Sequence, residues 1–166
     1  ATTRDIPDYS ELMRMRLNVC HQNGLTLQDI KEVISNMFPL EGAEDFLHWL
    51  RERFQVVILS DTFYQFAHPL MKQLNFPALF CHNLEVDDRG RITDFKLRMK
   101  DQKRQAVKAF HSLGFQVIAA GDSYNDTSML SEADKGILFC PPQNVIDEFP
   151  HFLITKDYTE LRSAFS

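Results

Sequence analysis

Apolar residues recur along this chain in two rhythms, a helical one and a run of short strands. In 8–22 (DYSELMRMRLNVCHQ), Tyr9, Leu12, Met13, Leu17 and Cys20 fall three to four residues apart and Asn23-Gly24 follows as a stop, so the pattern predicts an amphipathic helix. Residues 26–37 (TLQDIKEVISNM) predict a second helix, with Thr26 as N-cap and Asp29 three residues on in a capping-box arrangement. The two form a helical hairpin. Pro39-Leu40-Glu41-Gly42 then interrupts the pattern.

Beyond that break, helices alternate with short apolar runs. Helix 43–53 leads to QVVILS (55–60), a continuously apolar run of the kind found in strands covered on both faces. Helix 62–74 and the run ALFC (78–81) follow, and then NLEVDDRGRITDFKL (83–97), where Asp87-Asp88-Arg89-Gly90 marks a β-hairpin turn. Helix 102–113, QVIAAG (116–121), helix 124–133, GILF (136–139), a short helix 143–148, FLIT (152–155) and helix 157–165 complete the alternation. Such alternation implies an α/β fold with a doubly wound, Rossmann-like parallel sheet. In these sheets ligands lie beyond the carboxyl ends of the strands, so the loops there are where chemistry is sought.

Composition narrows the class. The 166 residues can bury about 70% of their unfolded surface. Hydrophobic residues make up 44%, and no apolar run reaches the roughly 20 residues of a membrane span. The net charge is −5 with no basic block, which argues against nucleic acid and leaves a small-molecule or protein partner. Cys20, Cys81 and Cys140 are widely spaced with no C-x-x-C pair, so we expect three reduced, mostly buried thiols in a cytoplasmic protein. The opening ATTRDIPDYSEL lacks the basic and apolar regions of a secretory signal.

Four places could carry chemistry. Ser60-Asp61-Thr62 follows the QVVILS strand and presents a hydroxyl and amides suited to an anionic oxygen, or else Ser60 or Asp61 caps helix 62–74. Gly121-Asp122-Ser123-Tyr124-Asn125-Asp126 follows QVIAAG, and its three oxygen-bearing side chains Asp122, Asn125 and Asp126 suit a hard cation such as Mg²⁺. Lys103 enters helix 102–113, where a cation opposes the helix dipole. It either neutralises a phosphoryl group or shares a solvated face with Lys100, Arg104 and Lys108. Arg16 projects from the apolar stripe of the first helix, unlike Arg14, and so either snorkels or meets an anion such as a substrate carboxylate. The six histidines show no ligand spacing and read as surface or partly buried side chains, and the aromatic residues read as packing.

VVILSDT (56–62), the Lys-initiated helix and IAAGDSYNDTSML (118–130) resemble the second, third and fourth motifs of the haloacid dehalogenase (HAD) phosphatase superfamily. The GDSxND form and the helices ahead of the core are similar to its phosphoserine phosphatase branch. The likeness is closest to the bifunctional members that also pass phosphate to homoserine, and it extends through PLEGAEDFLHWLRERF, LEVDDRGRITDFKLR and KDQKRQAV. The resemblance implies a helical cap over 1–38, incomplete, and a HAD-like α/β core over 39–166. It implies Asp122 as a Mg²⁺ ligand, Asn125 in contact with substrate, and Asp126 supporting the metal shell and Lys103. Ser60 and the Asp61 amide would hold phosphoryl oxygens, Lys103 would stabilise the attacking carboxylate and the transferring group, and Arg16 would grip the substrate carboxylate.

The implied activity is Mg²⁺-dependent hydrolysis of phosphoserine to serine and phosphate through a phospho-aspartate, with homoserine as a candidate second acceptor. The family's first motif, an apolar strand ending in D-x-D/E-G, has no match between Ala1 and Asp8. We therefore expect about 30 residues ahead of Ala1, carrying the central strand and the nucleophile, and an inactive 166-residue piece. Two alternatives remain open: a non-catalytic phosphate- or Mg²⁺-binding module, and a HAD phosphatase for another small phosphorylated metabolite. A homodimer through the 83–97 hairpin is the candidate assembly.

Overall fold

The structure, a computed structural model, describes residues 8–166. Residues 1–7, over which no first motif was read, lie outside the described residues. In chain order the elements are α1 Tyr9–Gln22, α2 Leu27–Ser35, α3 Ala43–Arg51, β1 Val57–Phe63, α4 Tyr64–Gln73, β2 Ala78–Val86 and β3 Ile92–Lys96. There follow α5 Gln102–Ser112, β4 Ile118–Gly121, a 3₁₀ turn Tyr124–Asp126, α6 Thr127–Glu132, β5 Lys135–Phe139, α7 Gln143–Glu148, β6 Leu153–Thr155 and α8 Tyr158–Ala164. The elements expected from the apolar pattern are present with ends shifted by a few residues, except that ALFC and the first arm of the hairpin form the single strand β2, and the helix expected over 124–133 opens with a 3₁₀ turn. No helix among the described residues is long and apolar enough to cross a membrane.

The chain divides into two compact units, Ala1–Pro39 with Val56–Arg98, and Leu40–Gln55 with Met99–Ser166. This division follows packing and assigns Val56–Arg98 to the N-terminal helices, whereas the sequence pattern drew a boundary after residue 38.

In the first unit, Asp8 caps α1 by accepting the Glu11 amide at 2.9 Å, and Thr26 and Asp29 form the expected capping box on α2. The sheet order is β1-β2-β3, with β1 and β2 parallel across α4 and β2 and β3 antiparallel. The hairpin turn closes where expected: the Asp87 carboxylate accepts the Arg89 and Arg91 amides at 2.9 Å, and Gly90 takes a positive φ of 77°. Met13 and Leu17 of α1 pack on Phe63, Leu84 and Ile92 to form the core of this unit. Its hydrophobic face is what fixes α1 there, at about 1.5–3 kcal/mol per fully buried side chain.

In the second unit, β4-β5-β6 is all parallel, with α6 and α7 as crossovers. Ile137 and Leu138 of β5, the middle strand, are fully buried. α3 packs on α8, where the Phe46 ring lies 5.1 Å from Tyr158.

Three expectations change. Among the described residues the strands form two three-stranded sheets, because β1 pairs with β2 alone and β4 with β5 alone. The apolar run of β1 is half-buried rather than covered on both faces, as suits a strand with one neighbour in its sheet. The thiols also differ from expectation: Cys81 is buried and Cys20 half-buried, but Cys140 is exposed. Cys140 takes a positive φ of 46° directly after β5 and turns its Sγ to the Lys156 carbonyl at 3.0 Å.

Candidate active site

In the first unit, β1 does not stop at Ser60 but runs through Ser60, Asp61 and Thr62 to Phe63. The parallel register explains how. Leu59 pairs with Phe80 and Phe63 with His82, so four steps along β1 match two along β2. Ser60, Asp61 and Thr62 therefore bulge out of the β1–β2 ladder, an irregularity that re-aims side chains. Ser60 Oγ accepts the Thr62 amide at 3.3 Å. The capping alternative does not hold, since the N-cap of α4 is Phe63 and makes no side-chain cap bond.

The Tyr9 hydroxyl of α1 donates to the Asp61 carbonyl. Beside it, a cavity of about 250 Å³ is lined by Tyr9, Arg16, Asp61, Thr62, Phe66 and Ile92, among others. Arg16 is exposed, like Arg14, and Arg16 Nη1 lies 4.0 Å from Met13 Sδ. Arg16 thus stands at the edge of the apolar stripe and borders the cavity. Within this unit the structure brings Arg16, Asp61 and Thr62 to one cavity.

In the second unit, Asp126 is the organising side chain, 6% exposed. Its Oδ2 accepts the amides of Asp122 and Ser123 at 3.1 Å and the Ser123 hydroxyl at 3.0 Å. Its Oδ1 accepts Lys103 Nζ at 2.8 Å, and the Lys103 side chain is 11% exposed. Burial pushes the Asp126 carboxyl up. The Lys103 ammonium and the hydrogen bonds from Lys103 and Ser123 outweigh that, and hold it below the usual carboxylate range. Gly121 makes the arrangement possible, because a Cβ there would sit 2.5 Å from Asp126 Cβ.

Lys103 therefore leaves the basic face of α5, on which Lys108 is exposed and Arg104 turns to Glu132 at 2.7 Å. The Asp122 carboxylate is exposed at the carboxyl end of β4, and Asn125 is exposed in the next turn. Among the described residues no group of three or more His, Cys, Asp or Glu side chains forms a ready metal cage. Mg²⁺ does not require one, since it binds through one or two carboxylates with water and phosphate oxygens, and an exposed hard carboxylate beside an immobilised one fits that preference.

The apolar pattern missed Tyr9, read only as a stripe residue, and His82, read as surface or partly buried. His82 is buried on β2, and its Nδ1 accepts the Arg98 amide at 3.0 Å. Ser123 was passed over too, although the S-x-x-D spacing to Asp126 is a capping-box signal.

The parallel strands are thus joined by helices, with an Asp–Lys pair fixed at the carboxyl end of β4. The model of the haloacid dehalogenase-like hydrolase family matches residues 1–131, and the chain belongs to that family. It is 62% identical over 165 residues to phosphoserine phosphatase ThrH of Pseudomonas aeruginosa, covering 99% of this chain and 80% of that one. It is 60% identical to a phosphoserine phosphatase of Pseudomonas syringae pv. tomato, covering 99% and 70%. Among solved structures, a phospho-aspartyl intermediate analogue of phosphoserine phosphatase superposes with a TM-score of 0.70 at 26% identity, over 84% of this chain and 70% of that one. An apo phosphoserine phosphatase shares the fold with a TM-score of 0.78 at 24% identity, over 97% and 83%. The fold is thus HAD-like α/β, and phosphatases of this family generally depend on Mg²⁺.

Proposed function

We propose that this protein hydrolyses phosphoserine to serine and inorganic phosphate. The observation that carries the reading is the Lys103–Asp126 pair, which fixes an ammonium at the carboxyl end of a parallel strand beside the exposed carboxylate of Asp122. The high identity to proteins named phosphoserine phosphatase supports the choice of substrate.

Phosphoryl transfer asks of these residues positioning and charge neutralisation. In this reading Ser60 Oγ and the Asp61 amide hold phosphoryl oxygens, and Lys103 offsets the charge that grows on the transferring group. Asp126 keeps Lys103 in place while pinning the Asp122 and Ser123 amides. Asp122 is the carboxylate that would hold Mg²⁺, and Asn125 contacts the substrate. The bound ion would supply further positive charge at the phosphoryl oxygens. Arg16 takes the substrate carboxylate at the cavity beside α1. The helices α1 and α2 act as the cap expected within 1–38 and 39–166 as the core, and the protein works in the cytoplasm. The net reaction consumes one water: the P–O ester bond breaks, the water oxygen ends on phosphorus as inorganic phosphate, and a proton from that water restores the hydroxyl of the departing serine.

Phosphate release by the full-length protein tests this directly. We expect turnover of L-phosphoserine with Mg²⁺, a drop in kcat of about 10²–10³-fold in Lys103→Ala, and release of phosphate without phosphohomoserine unless homoserine is added. Arg16→Ala should raise KM for phosphoserine about tenfold and leave phosphoethanolamine, which lacks the carboxylate, unaffected. Equal losses on both substrates would remove Arg16 from the carboxylate role, and absence of turnover on phosphoserine alone would redirect the reading to another phosphorylated metabolite.

A further inference from the structure

His82 is a deeply buried, titratable side chain that the proposed reaction leaves unused. It lies on β2 directly opposite Phe63, where the ladder resumes after the Ser60–Asp61–Thr62 bulge, and is 3% exposed. An imidazole is buried at a cost unless its nitrogens are employed. Nδ1 accepts the Arg98 amide at 3.0 Å, so it carries no proton, and in the neutral ring the proton belongs to Nε2. Nε2 faces Asp61, 3.9 Å from Oδ1. That is beyond hydrogen-bond length, so the N–H dipole acts on the carboxylate through space.

The same residue is held at its main chain. Tyr9, from α1, donates its hydroxyl to the Asp61 carbonyl, and its ring lies 5.6 Å from the His82 ring. Burial and then the Asp61 charge push the Tyr9 hydroxyl up to about 12, so it stays protonated and remains a donor. Ser60, Asp61 and Thr62 have no register partner on β2, so the β1–β2 ladder does not set their peptide planes. Here two side chains from two other elements converge on the central residue of the bulge.

We propose that His82, as the Nε2–H tautomer facing the Asp61 carboxylate, and Tyr9, bonded to the Asp61 carbonyl, are positioning residues that fix Asp61 and so set how the Ser60–Asp61 turn meets a phosphoryl oxygen. This rests on the assignment of that turn to the phosphoryl group in the proposed function. Neither side chain need touch substrate. Their effect is read in the affinity of the turn for an anion.

The experiment measures binding of inorganic phosphate to the full-length protein with Mg²⁺ by calorimetry, beside thermal unfolding. Tyr9→Phe and His82→Asn should each weaken phosphate about fivefold, the factor carried by one net polar contact. The asparagine can still accept the Arg98 amide, which protects the fold. His82→Gln, which returns a donor near the Nε2 position, should bind within about twofold of the parent. Ser60→Ala separates the two readings. If it binds phosphate as the parent does, the turn is not the anion site and both readings fall. If it loses phosphate while Tyr9→Phe and His82→Asn bind like the parent, the positioning role alone is overturned. A His82→Gln variant no better than His82→Asn also overturns it. Nitrogen-15 NMR of the unsubstituted protein gives a reading independent of any variant's folding, since a proton found on His82 Nδ1 contradicts the proposal.

Discussion

The bulge at Ser60 and the loop at Asp122 are each attached to the end of a parallel strand, yet they are built in opposite ways. The Asp122–Asp126 loop is held mostly by itself: Asp126 takes the amides of Asp122 and Ser123 and the Ser123 hydroxyl, all within four residues, and adds Lys103 from 23 residues away. The Ser60 bulge joins its short-range bond, between Ser60 Oγ and the Thr62 amide, to contacts from distant elements. Its long-range grip comes from Tyr9, 52 residues earlier, and from His82 on the neighbouring strand. A site held locally can form with its own loop, whereas a site held by distant elements depends on those elements having docked. The loop should therefore fail sharply when its centre is altered, and the bulge should weaken by degrees.

Removing Lys103 is the severest break. Lys103→Met would leave the Asp126 carboxylate buried without its cation, and stranding one partner of a buried pair costs about 3–5 kcal/mol. The amides and hydroxyl on Oδ2 remain, so the low end of that range is expected. Urea unfolding followed through Trp49, the sole tryptophan and a member of the second unit, measures it. Tyr9→Phe in the first unit should cost only about 0.5–1.5 kcal/mol, since it removes one hydroxyl bond. Equal costs would erase the contrast.

Next in size is Gly121→Ala. Its Cβ would meet Asp126 Cβ at 2.5 Å, so the Asp126 side chain or the β4 backbone must shift, at about 1–3 kcal/mol. The phosphate affinity of the full-length protein should fall more than its stability, because the movement displaces Lys103 along with Asp126. A variant with unchanged phosphate affinity would show the loop to be more forgiving than its packing indicates.

Such local construction is also why the loop was legible in the sequence. Gly121, Asp122, Asn125 and Asp126 sit within six residues, and their spacing carries the chemistry without knowledge of the fold. The Thr26–Asp29 capping box was legible for the same reason. Where β1 ends was not. The apolar run stops at Ser60, but the strand continues to Phe63 because Phe63 pairs with His82, and nothing near Ser60 encodes that partner. Tyr9 and His82 likewise meet Asp61 only through contacts across the fold, and the exposure of Cys140, at a positive φ after β5, has no signal in the spacing of the cysteines.

Acid gives a gentler probe of the same contrast. The Asp126 carboxyl is held below its ordinary value in the folded protein, so its contribution to stability is fully present above the unfolded carboxylate pKa of about 3.9. That contribution is lost as the pH falls through the lower, folded value. Asp134, held down by the Val117 amide and His111, and Glu132, held down by Arg104, act in the same direction. The Trp49 transition should accordingly hold its midpoint, as far as these groups are concerned, between pH 5 and 8 and fall below about pH 4. Asp126→Asn should flatten that fall, and an unchanged acid limb would place the acid-sensitive groups elsewhere.

The smallest effect contrasts the two units through their thiols. Cys81 lies next to His82 on β2, and burial pushes its thiol up to about 11 against the lowering influence of Arg98. At pH 8 only about one molecule in 10³ then carries the Cys81 thiolate, the form that attacks a disulfide reagent. Cys140 in the second unit is exposed. With an aromatic disulfide reagent at pH 8, Cys140 should react first and Cys81 last, at least about 100-fold more slowly, while labelling Cys140 shifts stability by no more than about 0.5 kcal/mol. Loss of Cys81 protection in Tyr9→Phe, with the Trp49 transition unmoved, would show that α1 has loosened over the bulge while the second unit stays intact. Protection that survives Tyr9→Phe would confine the hydroxyl's role to the Asp61 peptide and leave the docking of α1 to Met13 and Leu17.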